Sequence, residues 1–70
     1  MKQYSISQLA KKFGLSRSTL LHYDTIGLLK PATRTASNYR VYTDDEYKKL
    51  HQISSLRSTG ISLEQIRQII

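Results

Sequence analysis

Cysteine is absent from the 70 residues. That excludes a disulfide framework and a thiolate metal site within this span, and it is compatible with a reducing compartment. Long apolar runs are absent too. None approaches the roughly 20 residues that span a bilayer, and the opening "MKQYSISQLAKK" has no signal-peptide core. The expectation is a soluble, cytoplasmic protein with no membrane partner. Acidic residues are scarce and unevenly placed. Of the five, only Asp24 falls in residues 1–42, which hold seven bases (Lys2, Lys11, Lys12, Arg17, Lys30, Arg34 and Arg40). Residues 43–70 hold four residues of each sign, so the formal charge of +6 belongs entirely to the first 42 residues. Such an asymmetry suits a polyanion partner, nucleic acid before membrane. A chain of this length buries a modest core, so residues 1–70 form one small domain.

What is present is dense in helix punctuation. Ser5 with Gln8, Thr43 with Glu46 and Ser62 with Gln65 each form a capping-box pattern, in which a hydroxyl and a longer side chain satisfy orphan N–H groups at a helix start. Ser16 is a fourth N-cap candidate. Gly14, Gly27 and Gly60 stand where a left-handed residue ends a helix, each followed by an aliphatic residue that closes the cap. These signals predict helices over 6–13, 17–26, 44–59 and 63–70. Apolar stripes follow the helical period: Ile6, Leu9, Ala10 and Phe13; Tyr47, Leu50, Ile53 and Leu56; Leu63, Ile66, Ile69 and Ile70. They read as core. Between 28 and 42 no helical period holds. The β-prone Tyr39, Val41 and Tyr42 predict a short strand there, with Leu29 and Lys30 opposite it in a small hairpin. The chain reaches "RQII" still in an apolar helical pattern, which predicts a protein cut before its end.

The second helix carries the functional signal. At about 100° per residue, Thr19, Leu20, Tyr23 and Ile26 gather on one side and must face the first helix. Arg17, Ser18, Leu21 and Thr25 gather opposite, with His22 on the flank. Two helices joined by a short turn containing glycine are a helix-turn-helix, whose second helix enters the major groove N-terminus first. Arg17 then reaches guanine O6/N7 or a phosphate, and Ser18 meets either kind of group.

The stretch "TLLHYDTIGLLKPATRTASNYRVYTDDE", followed by "LRSTGISLEQI", resembles the MerR family of bacterial transcription regulators. That family's pattern has T-L-R-x-Y-D, G-L-L-x-P, G-Y-R-x-Y with acidic residues opening the next helix, and L-R-x-x-G-x-S-L-x-x-I. The resemblance runs from Tyr4 to Ile70. It implies a mainly α fold: a winged helix-turn-helix with a short β-hairpin wing and a C-terminal helix pair, whose connecting loop acts as a second wing. It implies double-stranded promoter DNA as the partner, contacted by Arg17, Ser18, His22 and Tyr23 on the recognition helix. Tyr39 and Arg40 carry the contact in the wing, and Arg57 carries it near the second wing. It further implies an intact homodimer, joined by a long helix and governed by an effector segment, both absent here. That dimer distorts a promoter so that RNA polymerase engages it. The present span is left free to be monomeric. Two positions depart from the pattern. Leu21 replaces an arginine in the outward face, which either removes a phosphate contact or sets an apolar group near a thymine methyl. Asn38 replaces a glycine, and since asparagine tolerates left-handed backbone the turn is expected to survive.

Other readings stay open on the residues alone. Arg17, Arg34 and Arg40 are equally the bases of a solvated surface, Lys11 and Lys12 read as a solvated helix face, and the tyrosines serve core and contact alike. Asp44, Asp45 and Glu46 are accounted for by capping and the helix dipole without a metal. No nucleophile–base pair, phosphate-cradling loop or ligand cluster appears, so the sequence calls for no enzyme, metal or cofactor. The alternatives are an excisionase-like architectural DNA-bending protein and a winged helix whose basic face binds an acidic protein.

Overall fold

Helix starts and ends form where their capping groups lie. The computed structural model describes residues 2–70, with elements in the order β1 (Gln3–Ser5), α1 (Ile6–Lys12), α2 (Arg17–Thr25), β2 (Thr33–Arg34), β3 (Arg40–Thr43), α3 (Asp44–Ser58) and α4 (Leu63–Ile69). The Ser5, Ser16 and Ser62 hydroxyls accept from the N–H groups of Gln8, Thr19 and Gln65. At Thr43 the Glu46 carboxylate accepts from both the backbone N–H, at 2.7 Å, and the hydroxyl, at 2.6 Å. The Leu15 N–H donates to Ala10 O and the Leu28 N–H to Tyr23 O, closing α1 and α2 around Gly14 and Gly27 at positive φ.

The sheet departs from the sequence expectation in two ways. Its order is β1-β3-β2, antiparallel throughout, with β3 in the middle. First, the hairpin partner of β3 is Thr33–Arg34, in register with Val41 and Arg40, and Leu29–Lys30 lie outside the sheet. The cause is local. The N–H groups of Leu28 and Leu29 are both spent on Tyr23 O at the end of α2, and Pro31 has no N–H to give. Pairing therefore begins at the Ala32 N–H, which donates to Val41 O. Second, β1 pairs Tyr4 with Tyr42, and three residues are too few to show an alternation in sequence.

The core collects Leu9, Leu20, Leu28, Leu29, Tyr42, Leu50, Ile53 and Ile66, all almost fully buried. Tyr47 joins three elements. Its ring stacks on Tyr4 of β1 with centroids 5.4 Å apart and meets Phe13 after α1 at 5.0 Å. Truncating a core leucine or isoleucine to alanine costs about 2–5 kcal/mol in such settings, a large share of what a small domain has. Ile69, expected in the third stripe, is 58 % exposed. It falls about a quarter turn off the seam of Leu63, Ile66 and Ile70 that packs toward the core. Among the described residues no helix is long and apolar enough to cross a membrane.

Candidate nucleic-acid interface

The faces of α2 divide as its period demands. Leu20 and Tyr23 are buried and Thr19 and Ile26 half-buried, while Arg17, Ser18, Leu21, His22 and Thr25 are exposed. The capping Ser16 fixes where the helix begins, so Arg17 and Ser18 occupy its first turn, beside backbone N–H groups that suit an anion. Leu21 is 37 % exposed in the middle of this outward face. An apolar side chain there presents methyl groups in place of charge.

The wing turns at residues 35–38. The Thr35 N–H donates to Tyr39 O, the Asn38 N–H donates to Thr35 O, and Asn38 holds the left-handed conformation at φ 68°. The turn survives the exchange of glycine for asparagine, as expected. Tyr39 stands out at 72 % exposure, leaving its ring and hydroxyl open to a partner.

Arg40 behaves otherwise than expected. It is not a free base on an exposed hairpin. Its side chain is 24 % exposed, and its Nε donates to Asp24 Oδ2 at 3.0 Å. Asp24, on α2, is buried, and two more cations from the wing region converge on it: Arg34 Nη2 at 3.5 Å from Oδ2 and Lys30 Nζ at 3.5 Å from Oδ1. Burial pushes the Asp24 carboxyl upward. The hydrogen bonds from Arg40 and Lys30, with the charges of both, outweigh it and bring the carboxyl below its ordinary value. The wing is thereby fastened to the helix that it flanks. The sequence marks Asp24 as the one acid among seven bases but assigns it no partner. That isolation was the signal for its role, since a lone carboxylate in a basic region is where cations converge.

Tyr23 and Arg57 meet in an unforeseen place. Both line an open hollow between the helix-turn-helix and the later half of α3, with Phe13, Leu15, Thr19, Ser54 and Ser58. Tyr23 is 5 % exposed and packs in the core, so it offers a partner little surface, whereas Arg57 is exposed at the end of α3. Tyr39 and Arg40 line a second cleft, across the sheet from Gln3, Ser5 and Gln8. Tyr42, fully buried on β3, has a hydroxyl with no hydrogen-bond partner among the described residues.

Known proteins bear on this surface. The sequence pattern described as "MerR HTH family regulatory protein" matches residues 4–70. A probable heavy metal-dependent transcriptional regulator of Haemophilus influenzae is 42 % identical over 66 residues, which cover 94 % of this chain and 52 % of that protein. Among solved structures, a MerR family transcriptional regulator from Bacillus cereus superposes with a TM-score of 0.93 at 37 % identity, over 97 % of this chain and 51 % of the other. HiNmlR, a MerR family regulator lacking the sensor domain and bound to promoter DNA, gives 0.86 at 34 % identity, over 97 % and 54 %. The chain spans about half the length of these relatives.

Proposed function

Since the chain belongs to the MerR helix-turn-helix family, we propose that residues 2–70 are the sequence-specific DNA-binding domain of a bacterial transcription regulator that works in the cytoplasm. The observation that carries the reading is the exposed face of α2, opening on Arg17 and Ser18, with a cationic wing fastened to the same helix. In this reading α2 lies in the major groove, where Arg17 and Ser18 meet base edges and His22 lies further along. Tyr39, Arg40 and, from the end of α3, Arg57 meet the phosphate backbone, while Tyr23, 5 % exposed, holds the recognition helix to the core. HiNmlR, a relative at 34 % identity, is itself bound to promoter DNA, which supports DNA as the kind of partner. The intact regulator acts as a homodimer that distorts promoter DNA and so governs RNA polymerase. It is a binding protein, without catalysis or cofactor in this domain.

The test is selection of bound duplexes from a randomised pool, with the domain artificially dimerised and the salt near physiological. Enrichment of an inverted repeat is the expected result. Retention without an enriched sequence would replace sequence-specific regulation with an architectural role. Folded protein that retains no DNA would overturn the proposal.

A further inference from the structure

Arginine has five N–H donors in a planar fork, and the Arg40 fork is divided. Its Nε is engaged by Asp24 Oδ2 at 3.0 Å, while among the described residues neither terminal amino group makes a hydrogen bond within the protein. The two neighbouring cations are placed differently. Arg34 is held at both ends, with Nη2 toward Asp24 and Nη1 donating to Asn38 Oδ1 at 3.3 Å, so it is committed to the wing itself. Lys30 approaches only to 3.5 Å and its side chain is 68 % exposed, a loose tether. Of the three, Arg40 is the one firmly seated by a single nitrogen with both terminal amino groups to spare. The seat is rigid on both sides, since Asp24 sits on α2 and Arg40 on the central strand β3.

Resting on the DNA-binding reading above, we propose that Asp24 is a positioning residue for DNA binding. It holds Arg40 by Nε so that the terminal amino groups are presented, already oriented, to a backbone phosphate at a fixed offset from the recognition helix. An arginine swinging free loses side-chain freedom when it grips a phosphate, whereas one held in place has already lost it. Asp24 does not cancel the attraction, because one carboxylate among three cations leaves the cluster positive. The arrangement also couples two kinds of contact. The Arg40–Asp24 ion pair ties the phosphate-gripping fork directly to α2.

Charge and position predict opposite signs, which makes the proposal testable. Asp24→Asn and Asp24→Leu each remove one negative charge. If Asp24 were a bystander, both variants would bind a mixed-sequence, fluorescein-labelled duplex more tightly than the parent chain and with a steeper salt dependence. If it positions Arg40, both bind more weakly. Leucine, which cannot accept a hydrogen bond, loses about fivefold, and asparagine, which keeps one acceptor, loses less. The slope of log affinity against log salt becomes shallower by about one for the leucine variant. Arg40→Lys supplies a route that leaves Asp24 intact. A single ammonium keeps the charge but lacks the fork that serves carboxylate and phosphate together, so it loses a similar factor, and adding Asp24→Leu to it costs little more. Thermal melting sets the temperature so that every variant is folded. The Arg40 Nε–H signal in NMR, sharp in the parent chain, broadens in the Asp24 variants. If the parent chain does not bind the duplex at low salt, the DNA reading falls and this proposal with it. If the parent binds while the Asp24→Leu or Arg40→Lys variants bind as tightly or more tightly, this proposal alone is overturned.

Discussion

In residues 2–42 the one carboxylate, Asp24, is buried and receives three cations from a different part of the fold. In residues 43–70 there are four, and they act mainly where they stand. Glu46 caps the helix three residues behind it, Asp44 and Asp45 share its first turn, and Glu64 pairs with Arg67 one turn along at 3.6 Å. One longer reach exists, the Tyr4 hydroxyl at 3.5 Å from Asp44. The same chemical group thus fastens elements together in one half and shapes single helices in the other. A carboxylate is worth more to a fold when it is out of water and its partners arrive from afar, because the solvent no longer screens them.

The comparison is sharpest at Asp24. Asp24→Ala is expected to destabilise the domain by about 3 kcal/mol, because it leaves the partly buried Arg40 without its partner; urea unfolding measures this. Acid offers a second way to break the same contact. The folded-state pKa of Asp24 is lowered, so its stabilisation is complete above the unfolded value of about 4 and is lost as pH falls through the folded one. Asp24→Asn should therefore flatten the acid side of a stability profile, leaving neutral pH as the region of greatest difference from the parent. Identical acid limbs would place the proton uptake among the other four carboxylates.

In the other half the effects shrink. Glu46→Ala removes the acceptor of two hydrogen bonds at the start of α3 and should cost about 1 kcal/mol, in the range of a lost cap. Tyr42→Phe tests whether burial without a partner has the opposite sign. Among the described residues its hydroxyl has none, so removal should be neutral or stabilising by up to about 1 kcal/mol, read as an unchanged or raised Tm. A clear loss would mean that a water or partner satisfies that oxygen. Last comes Glu64→Gln, an exposed pair one turn apart, where the shift should stay within about 0.5 kcal/mol and vanish in high salt.

This division also explains what could be read in advance. All four helices were legible within a residue or so, because caps and glycine stops are written three to five positions from the groups they satisfy. The outward face of α2 was legible for the same reason: Arg17, Ser18 and Leu21 follow from a period and a starting point. What failed was non-local. The β2 partner depended on how Leu28, Leu29 and Pro31 dispose of their N–H groups. β1 depended on Tyr4 finding Tyr42 and Tyr47, some forty residues away. The state of Arg40 depended on Asp24, sixteen residues distant and on another element. Family resemblance supplied an expectation for the wing but not the fact that Arg40 is already engaged by Asp24.

β1 has a consequence for how the chain behaves in company. Only three residues long, it occupies one side of β3, while β2 occupies the other. Were residues 1–5 removed, β3 would show an open row of amide and carbonyl groups beside Val41 and Tyr42, the kind of edge that recruits a strand from another molecule. The edges that remain in the intact sheet are poor templates, two residues with an arginine on one side and three with polar ends on the other. Trimming the first five residues would therefore do more than loosen the Tyr4–Tyr47 stack. It would open a route to self-association through the uncovered side of β3.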